Sequence, residues 1–280
     1  MRHNRICVLF ISDLYSAKFT RQPDMKLDVK NLKMTDMVLI SDNKLLLSDE
    51  NVGTLALVDI KSNNVVSKIE LRKKPSLVCK IDKNRAATTA GNEIQFLQIE
   101  ANALRCDLAL TSGEDAYQYG IASQGNNLVV TYVLPPGVRI ISTDGKIIHK
   151  LDNTTAGKEL FKQPRWIATT SDGSIYVTDW GTHKITRLDS SLAILQTFSG
   201  SLLRGPHGII ALNRDQLLVC NKSNNNILLI RPSTNSMTVL LDDGIEKPQS
   251  ICFCNEQKKL YVASEDDKVM VYQLSSQIRE

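Results

Sequence analysis

The sequence predicts an all-β protein, a six-bladed β-propeller whose blades are four-stranded antiparallel sheets. Three observations support this prediction. Prolines at positions 164, 206 and 248 recur at a constant interval of 42 residues. A short apolar run that ends in a small polar residue recurs six times, at intervals of 40 to 47 residues. No segment shows the periodicity of a helix, and 280 residues with 42% hydrophobic content can fill one large core.

Each repeat is expected to contain paired strands, because apolar runs alternate with turn residues. The first run is followed by a turn such as Ser171-Asp172-Gly173. The second runs are 45–49, 85–89, 128–132, 175–179, 217–221 and 260–264. The third runs are 55–58, 94–97, 138–141, 185–188, 227–230 and 269–272. A fourth run follows in the first five repeats, as at 193–198. We attribute the one long interval, between the third and fourth repeats, to loop insertions at 135–137 and 152–158.

The sixth repeat ends near residue 274, one strand short of a blade. A strand from near the N-terminus, either 17–20 or 25–29, is expected to complete this blade and close the ring. An open sheet edge would otherwise invite pairing with other chains. We therefore assign residues 13–280 to a single propeller and leave 1–12 as an unassigned N-terminal extension.

Composition restricts the partners and the compartment. The net charge of +4 comes from 34 basic and 30 acidic residues without a block of like charge. Six cysteines lack a Cys-x-x-Cys motif, and most lie in apolar runs, which is typical of buried thiols in a reducing compartment. The apolar run 6–11 is short for a signal peptide, and no later run is long enough to cross a membrane. We expect a cytoplasmic protein with no membrane partner.

Several residues resemble a known repeat. The succession Pro-x-x-Ile, Asp-Gly, Ile-Tyr-Val-x-Asp and Thr182-His183-Lys184-Ile185 resembles the NHL repeat. The order of the repeats resembles the C-terminal NHL-type propellers of tripartite-motif (TRIM-NHL) proteins, and 248–252 before 260–262 is similar to the last blade of an invertebrate group of them. The resemblance covers roughly residues 17–274 and is weakest at 85–87.

This resemblance implies an interaction platform that presents proteins or RNA to ubiquitin-ligase modules. The sequence contains no RING or B-box array of cysteines and histidines. We therefore expect no ligase activity from this chain. The resemblance implies that the propeller acts together with a separate ubiquitin-ligase chain.

Strand parity predicts a binding face independently of the family. The segments before each first strand and after each second strand should share one face, and loops on a rigid scaffold commonly carry function. Trp and Arg are frequent energetic anchors of interfaces. In the alternative interpretation Trp166 packs between blades, Trp180 caps a strand, and the charged residues are solvated. The candidate residues of this partner-binding face are Tyr119, Arg165, Trp166, Trp180, His183, Lys184, His207, Lys222 and Gln249.

The sequence favours a protein partner over RNA. Aromatic and basic residues can bind single-stranded RNA, which therefore stays open as an alternative. Phosphate recognition needs concentrated positive charge, however, whereas Asp49, Glu50, Asp179 and the acids at 265–267 are expected on the same face. A face of mixed charge suits a protein.

Catalysis is the third possibility. Six-bladed propellers of the gluconolactonase type hold a divalent metal through Glu, Asp and Asn ligands, as hard cations prefer. The positions that enter the first strands contain one acid, and no phosphate loop or nucleophile elbow is present. These positions are Asp36, Ser76, Tyr119, Arg165, His207 and Gln249. We therefore predict no catalytic residue, no metal site and no cofactor, and expect that the chain is not an enzyme; a metal-dependent lactonase-like hydrolase is the alternative.

Overall fold

The computed structural model describes residues 18–25, 34–111, 116–154, 157, 159–265 and 268–275. Within these ranges the strands form six four-stranded antiparallel sheets. The helix found in the described ranges is one short 3-10 turn, Lys222–Asn224. The predicted six-bladed propeller is confirmed.

The strands follow the chain blade by blade. Blade 1 contains β2 (Asp36–Ser41), β3 (Lys44–Asp49), β4 (Thr54–Asp59) and β5 (Asn64–Glu70), and blade 2 contains β6 (Val78–Lys80), β7 (Arg85–Ala90), β8 (Glu93–Glu100) and β9 (Ala103–Thr111). Blade 3 contains β10 (Tyr117–Gln124), β11 (Asn127–Leu134), β12 (Pro136–Ser142) and β13 (Ile147–Asp152), and blade 4 contains β14 (Pro164–Thr169), β15 (Ile175–Asp179), β16 (Lys184–Leu188) and β17 (Ile194–Phe198). Blade 5 contains β18 (Pro206–Asn213), β19 (Gln216–Asn221), β20 (Asn226–Arg231) and β21 (Ser236–Leu241). Blade 6 contains β22 (Pro248–Cys254), β23 (Lys259–Ser264), β24 (Val269–Ser275) and β1 (Lys18–Met25).

The N-terminal strand β1 closes the ring. It pairs antiparallel with β24, from Lys18 opposite Ser275 to Met25 opposite Val269. The closing strand therefore extends the predicted segment 17–20 as far as Met25, the first residue of the alternative segment 25–29, whose other residues lie outside the described ranges. Residues 1–17 lie outside the described residues, so the division of the chain at residue 12 stays a prediction.

The predicted loop insertion at 135–137 is wrong. Pro136 begins strand β12 and lies opposite Val133 of β11. The first residue of a strand tolerates proline, because the missing N–H is not needed there. The other predicted insertion lies in the connection between β13 and β14, where the side chain of Asn153 accepts hydrogen bonds from the backbone N–H groups of Leu160 (2.9 Å) and Phe161 (2.8 Å).

Small polar residues at the ends of the second strands join the blades. The hydroxyl of Ser48 donates to the carbonyl of Ser76 in the next blade (2.7 Å), and Thr131 donates to the carbonyl of Arg165 (2.8 Å). Thr89 donates to the carbonyl of Tyr119 in the same way. Because these groups are buried, their hydrogen bonds satisfy backbone atoms that water does not reach. The first strands of successive blades pack side by side around the axis, and their starts meet at one mouth of the ring.

Candidate functional site

A cleft of about 430 Å³ lies at this mouth, over blades 4, 5 and 6. It is bounded by the starts of first strands and by the loops that follow second strands. The structure thus places on one face the two kinds of segment that strand parity assigns to it. The lining residues are Arg165, Trp180, His207, Lys222, Ser223, Asn225, Lys247 and Glu265.

Buried side chains fix the loops that surround the cleft. Asp179 accepts hydrogen bonds at Oδ1 from the N–H groups of Gly181 (2.9 Å) and Thr182 (3.1 Å), and at Oδ2 from Lys162 (2.7 Å). Asn221 has the same role in blade 5, where its Oδ1 accepts from the N–H of Arg204 (2.6 Å). The loops that carry Trp180 and Lys222 are therefore anchored at their bases.

Arg165 is the most closely held cation of the cleft. Its guanidinium lies 4.5 Å from the ring centroid of Tyr119 and 5.8 Å from that of Trp180, and Nη1 donates to the Tyr119 hydroxyl (3.2 Å). Desolvation raises the pKa of Tyr119, so this phenol stays uncharged under the arginine. Trp180 itself is 40% exposed. Cation–π contacts with two rings hold the guanidinium and the indole in one arrangement.

Two buried rings pack against each other at the cleft, where His207 is a lining residue and Trp166 lies against it without lining the cleft. Trp166 is buried, with its ring edge-on to Tyr119 and 4.5 Å from the His207 ring. The Nδ1 atom of His207 lies 3.0 Å from the carbonyl oxygen of Gly205. Burial, together with the charges of Lys222 and Arg165, lowers the pKa of His207 to about 3. Trp166 therefore packs between blades, as in the alternative interpretation, and His207 is a neutral ring at physiological pH rather than a cation.

Lys222 and Lys247 line the cleft on either side of Glu265, which lies near both ammonium groups. The Nζ of Lys222 lies 3.6 Å from Glu265 Oε1 and 3.4 Å from Gln249 Oε1, and the Nζ of Lys247 lies 3.5 Å from Glu265 Oε2. Burial is the largest cause that lowers the pKa of Lys222, and Arg165 and Lys247 act in the same direction. The candidate list omitted Lys247 and Glu265, although both lie in segments that parity assigns to this face.

Five of the nine candidates do not line the cleft: Tyr119, Trp166 and Gln249, which contact residues that do, and His183 and Lys184. His183 has a left-handed backbone (φ 56°), and its Nδ1 accepts a hydrogen bond from the N–H of Gly205 (3.1 Å). His183 therefore supports the neighbouring loop. Lys184 is exposed at the start of β16 and does not line the cleft.

The acidic residues of this face are not all exposed beside the basic ones, contrary to the expectation from the sequence. Asp49 and Asp179 are buried and accept backbone hydrogen bonds, so they do not present charge to a partner. The acids at 266 and 267 lie outside the described residues. Glu50 and Glu265 line a second depression of about 230 Å³ beside the cleft, together with Gln249. The face thus combines a basic cleft with an acidic depression.

A separate cavity of about 260 Å³ lies within the ring, lined by the first strands. Its acid is Asp36, which accepts hydrogen bonds from the hydroxyl of Ser250 (2.6 Å) and the N–H of Val78 (3.0 Å). Burial raises the pKa of Asp36 to about 6. Across the described ranges, no group of three or more His, Cys, Asp or Glu side chains is placed to hold a metal ion.

No helix in the described part of the chain is both long and apolar enough to cross a membrane.

No family model matches the chain, and no curated protein matches it. Among solved structures, virginiamycin B lyase from Staphylococcus aureus is similar at TM-score 0.68 and 18% identity, covering 92% of this chain and 100% of that one. A streptogramin B lyase is similar at TM-score 0.68 and 14% identity, with 94% and 100% covered. The β-propeller domain of Cps50 (Swd1) from Myceliophteria thermophila is similar at TM-score 0.64 and 12% identity, with 86% and 84% covered.

These likenesses support the propeller fold, and at such identities they carry over the fold alone. They also overturn one prediction. The expectation that the chain is not an enzyme is wrong, because the fold neighbours include lyases, and a catalytically inactive variant of one is described with quinupristin. The residues and substrates of those lyases are not transferred to this chain. The protein is a six-bladed β-propeller with a preformed polar cleft at one mouth of its ring.

Proposed function

We propose that this face of the propeller binds a segment of a protein partner, with the cleft as the docking site. One observation carries the proposal: the half-exposed indole of Trp180 is held against the guanidinium of Arg165 at the edge of a cleft of about 430 Å³. Trp, Tyr and Arg dominate the binding energy of protein interfaces.

The rigidity of the anchor favours binding. Tyr119 and Trp180 enclose Arg165, and the hydrogen bonds of Asp179 fix the loop that precedes β16. A partner would therefore not have to order these side chains, which otherwise costs about 0.5–1.5 kcal/mol for each immobilised side chain. Propeller domains commonly act as interaction scaffolds, which fits the same interpretation.

The charge pattern favours a protein over RNA. A single-stranded nucleic acid follows a continuous basic groove and stacks successive bases on aromatic rings. Here the basic cleft ends at Glu265 and Glu50, and of the aromatic candidates Tyr119 and Trp166 are buried. Trp180 alone among the three offers an exposed ring. RNA binding is therefore an outcome of the test below rather than the proposal.

The resemblance to NHL repeats suggests to which propellers the chain is related and with which chain it works. We infer that residues 13–280 form an NHL-type propeller, related to those of TRIM proteins, that presents its partner to a separate ubiquitin-ligase chain. The motif at 182–185 supports this kinship. Buried free thiols at Cys79, Cys220 and Cys252, whose pKa values burial raises, support a reducing compartment such as the cytoplasm.

Affinity capture from cells that express the protein tests this function. The wild type is compared with Arg165→Ala/Trp180→Ala and with Lys184→Ala, a matched control on the same side of blade 4 but outside the cleft. Captured proteins that resist nuclease, survive in Lys184→Ala and disappear in the double variant support the proposal. Capture unaffected by the double variant contradicts it, and capture lost on nuclease treatment indicates RNA.

A further inference from the structure

The described residues that line the cleft carry an excess of positive charge. Among its lining residues Arg165, Lys222 and Lys247 are cationic, Glu265 is anionic, and His207 is neutral. Glu265 lies between the two lysines, with 3.6 Å to Lys222 and 3.5 Å to Lys247. The lining residues thus retain two positive charges beyond what the one carboxylate offsets.

Like charges lie close together in the cleft. Besides burial, the charges of Arg165 and Lys247 lower the pKa of Lys222, whereas Glu265 raises it. An anion beside these cations would relieve the repulsion and would accept hydrogen bonds from the lysine ammonium groups and the outer guanidinium nitrogens. The Nε of Arg165 is buried, so such an anion would not contact it.

We propose that the cleft binds a phosphate monoester, carried as a phosphoserine or phosphothreonine side chain by the protein partner of the proposed function. A phosphate monoester carries about −1.5 to −2 charges at neutral pH, which balances the excess of the cleft. Its oxygens match the forked donors of an arginine. A carboxylate carries one charge and would leave one cation unbalanced. The volume of about 430 Å³ holds the phosphate together with the side chain that bears it.

The test is a titration of the full chain with N-acetyl-phosphoserine amide, in which binding is measured by calorimetry or phosphorus NMR. N-acetyl-glutamate amide and inorganic phosphate serve as comparison probes. We expect at least tenfold tighter binding of the phosphoserine probe than of the glutamate probe, and weakening below pH 6, where the phosphate gains a proton. Lys222→Gln and Arg165→Gln should each lower the affinity at least fivefold, whereas Lys184→Gln should not.

Equal binding of the phosphoserine and glutamate probes overturns the proposal, as does equal weakening by Lys184→Gln. Thermal unfolding checks that each variant is folded, and the conservative change Lys222→Arg should retain binding.

Phosphatase treatment before the capture experiment separates this inference from the function on which it rests. If capture of the partner requires Arg165 and Trp180 but persists after phosphatase treatment, the protein-binding function is supported and the phosphate site is overturned. A second outcome is that Arg165→Gln weakens binding of the phosphoserine probe while loss of Arg165 leaves the captured proteins unchanged. This outcome overturns the phosphorylated protein partner and assigns the site to a free phosphorylated molecule.

Discussion

The buried carboxyl of Asp36 should make the stability of the ring depend on pH in an unusual direction. Asp36 lies where blades 6, 1 and 2 meet and bonds both Ser250 and Val78. Burial outweighs these hydrogen bonds and raises its pKa from 3.8 to about 6. At about 1.4 kcal/mol per pKa unit, a shift of about two units means that ionised Asp36 costs roughly 3 kcal/mol of folding free energy.

The sign follows from proton linkage. Between pH 4 and 6 the folded chain holds the Asp36 proton more tightly than the unfolded chain does. The contribution of Asp36 to stability is therefore fully present below pH 3.8 and is lost as the pH rises through about 6. Asp36→Asn keeps an acceptor for the N–H of Val78 and cannot ionise. This variant should be more stable than the wild type at pH 7.5 and should lose that advantage near pH 4.

Thermal unfolding of both proteins at pH 4 and pH 7.5 measures the effect. At about 2–4 °C per kcal/mol for chains of this size, the advantage of Asp36→Asn at pH 7.5 should be roughly 6–12 °C. Asp59→Asn is the matched control, because hydrogen bonds from Ser62 lower the pKa of this exposed carboxyl and give it the opposite pH trend. Equal destabilisation by Asp36→Asn at both pH values would refute the reasoning, since it would show that folding does not discriminate between the protonated and the ionised form of Asp36.

Three further predictions concern the blade junctions and ring closure. Gly120→Ala should abolish folding or lower the free energy of unfolding by several kcal/mol, because the new Cβ would lie 1.7 Å from the carbonyl oxygen of Arg165. Gly125→Ala meets no atom within 4 Å and should cost about 1–2 kcal/mol for its left-handed backbone. Equal unfolding midpoints of the two variants would contradict this prediction. Thr131→Val should lower the free energy of unfolding in urea by about 2–4 kcal/mol, because it leaves the N–H of Gly120 and the carbonyl of Arg165 unsatisfied. Thr131→Ser should retain most of the stability, and an equal loss of stability in both variants would show that packing is the cause instead. Deletion through residue 25 should expose the edge of β24 and cause aggregation in light scattering, whereas deletion through residue 17 keeps β1 and should not.

The fold could be predicted because the repeat has a physical cause that is visible in the sequence. Ser48 and Thr131 recur at equivalent places since each ties its blade to the next through a buried hydroxyl. The apolar runs before them are buried on both faces, so the strands were found with small errors at their ends. Pro136 was misassigned because a proline pair indicates a loop unless its position at the start of a strand is known.

The site was predictable as a face but not residue by residue. Trp166 and Trp180 both lie in segments of this face, yet the ring of Trp166 packs on His207 of the next blade and is buried. Such a contact depends on the angle between blades, which the sequence does not show. Asp179 was misread as surface charge, although its place before Gly181 and Thr182 is typical of an aspartate that caps a turn.

Site-specific crosslinking tests the central claim most directly. A photoreactive phenylalanine analogue in place of Ser223 lies at the cleft and leaves Arg165 and Trp180 intact, whereas the same analogue in place of Val239 lies on the exposed outer strand β21 of the same blade. After irradiation in cells, mass spectrometry identifies what is attached at each position. We expect a protein that is crosslinked from position 223 and not from position 239. The same products from both positions, or nucleic acid from position 223, would contradict the proposed function.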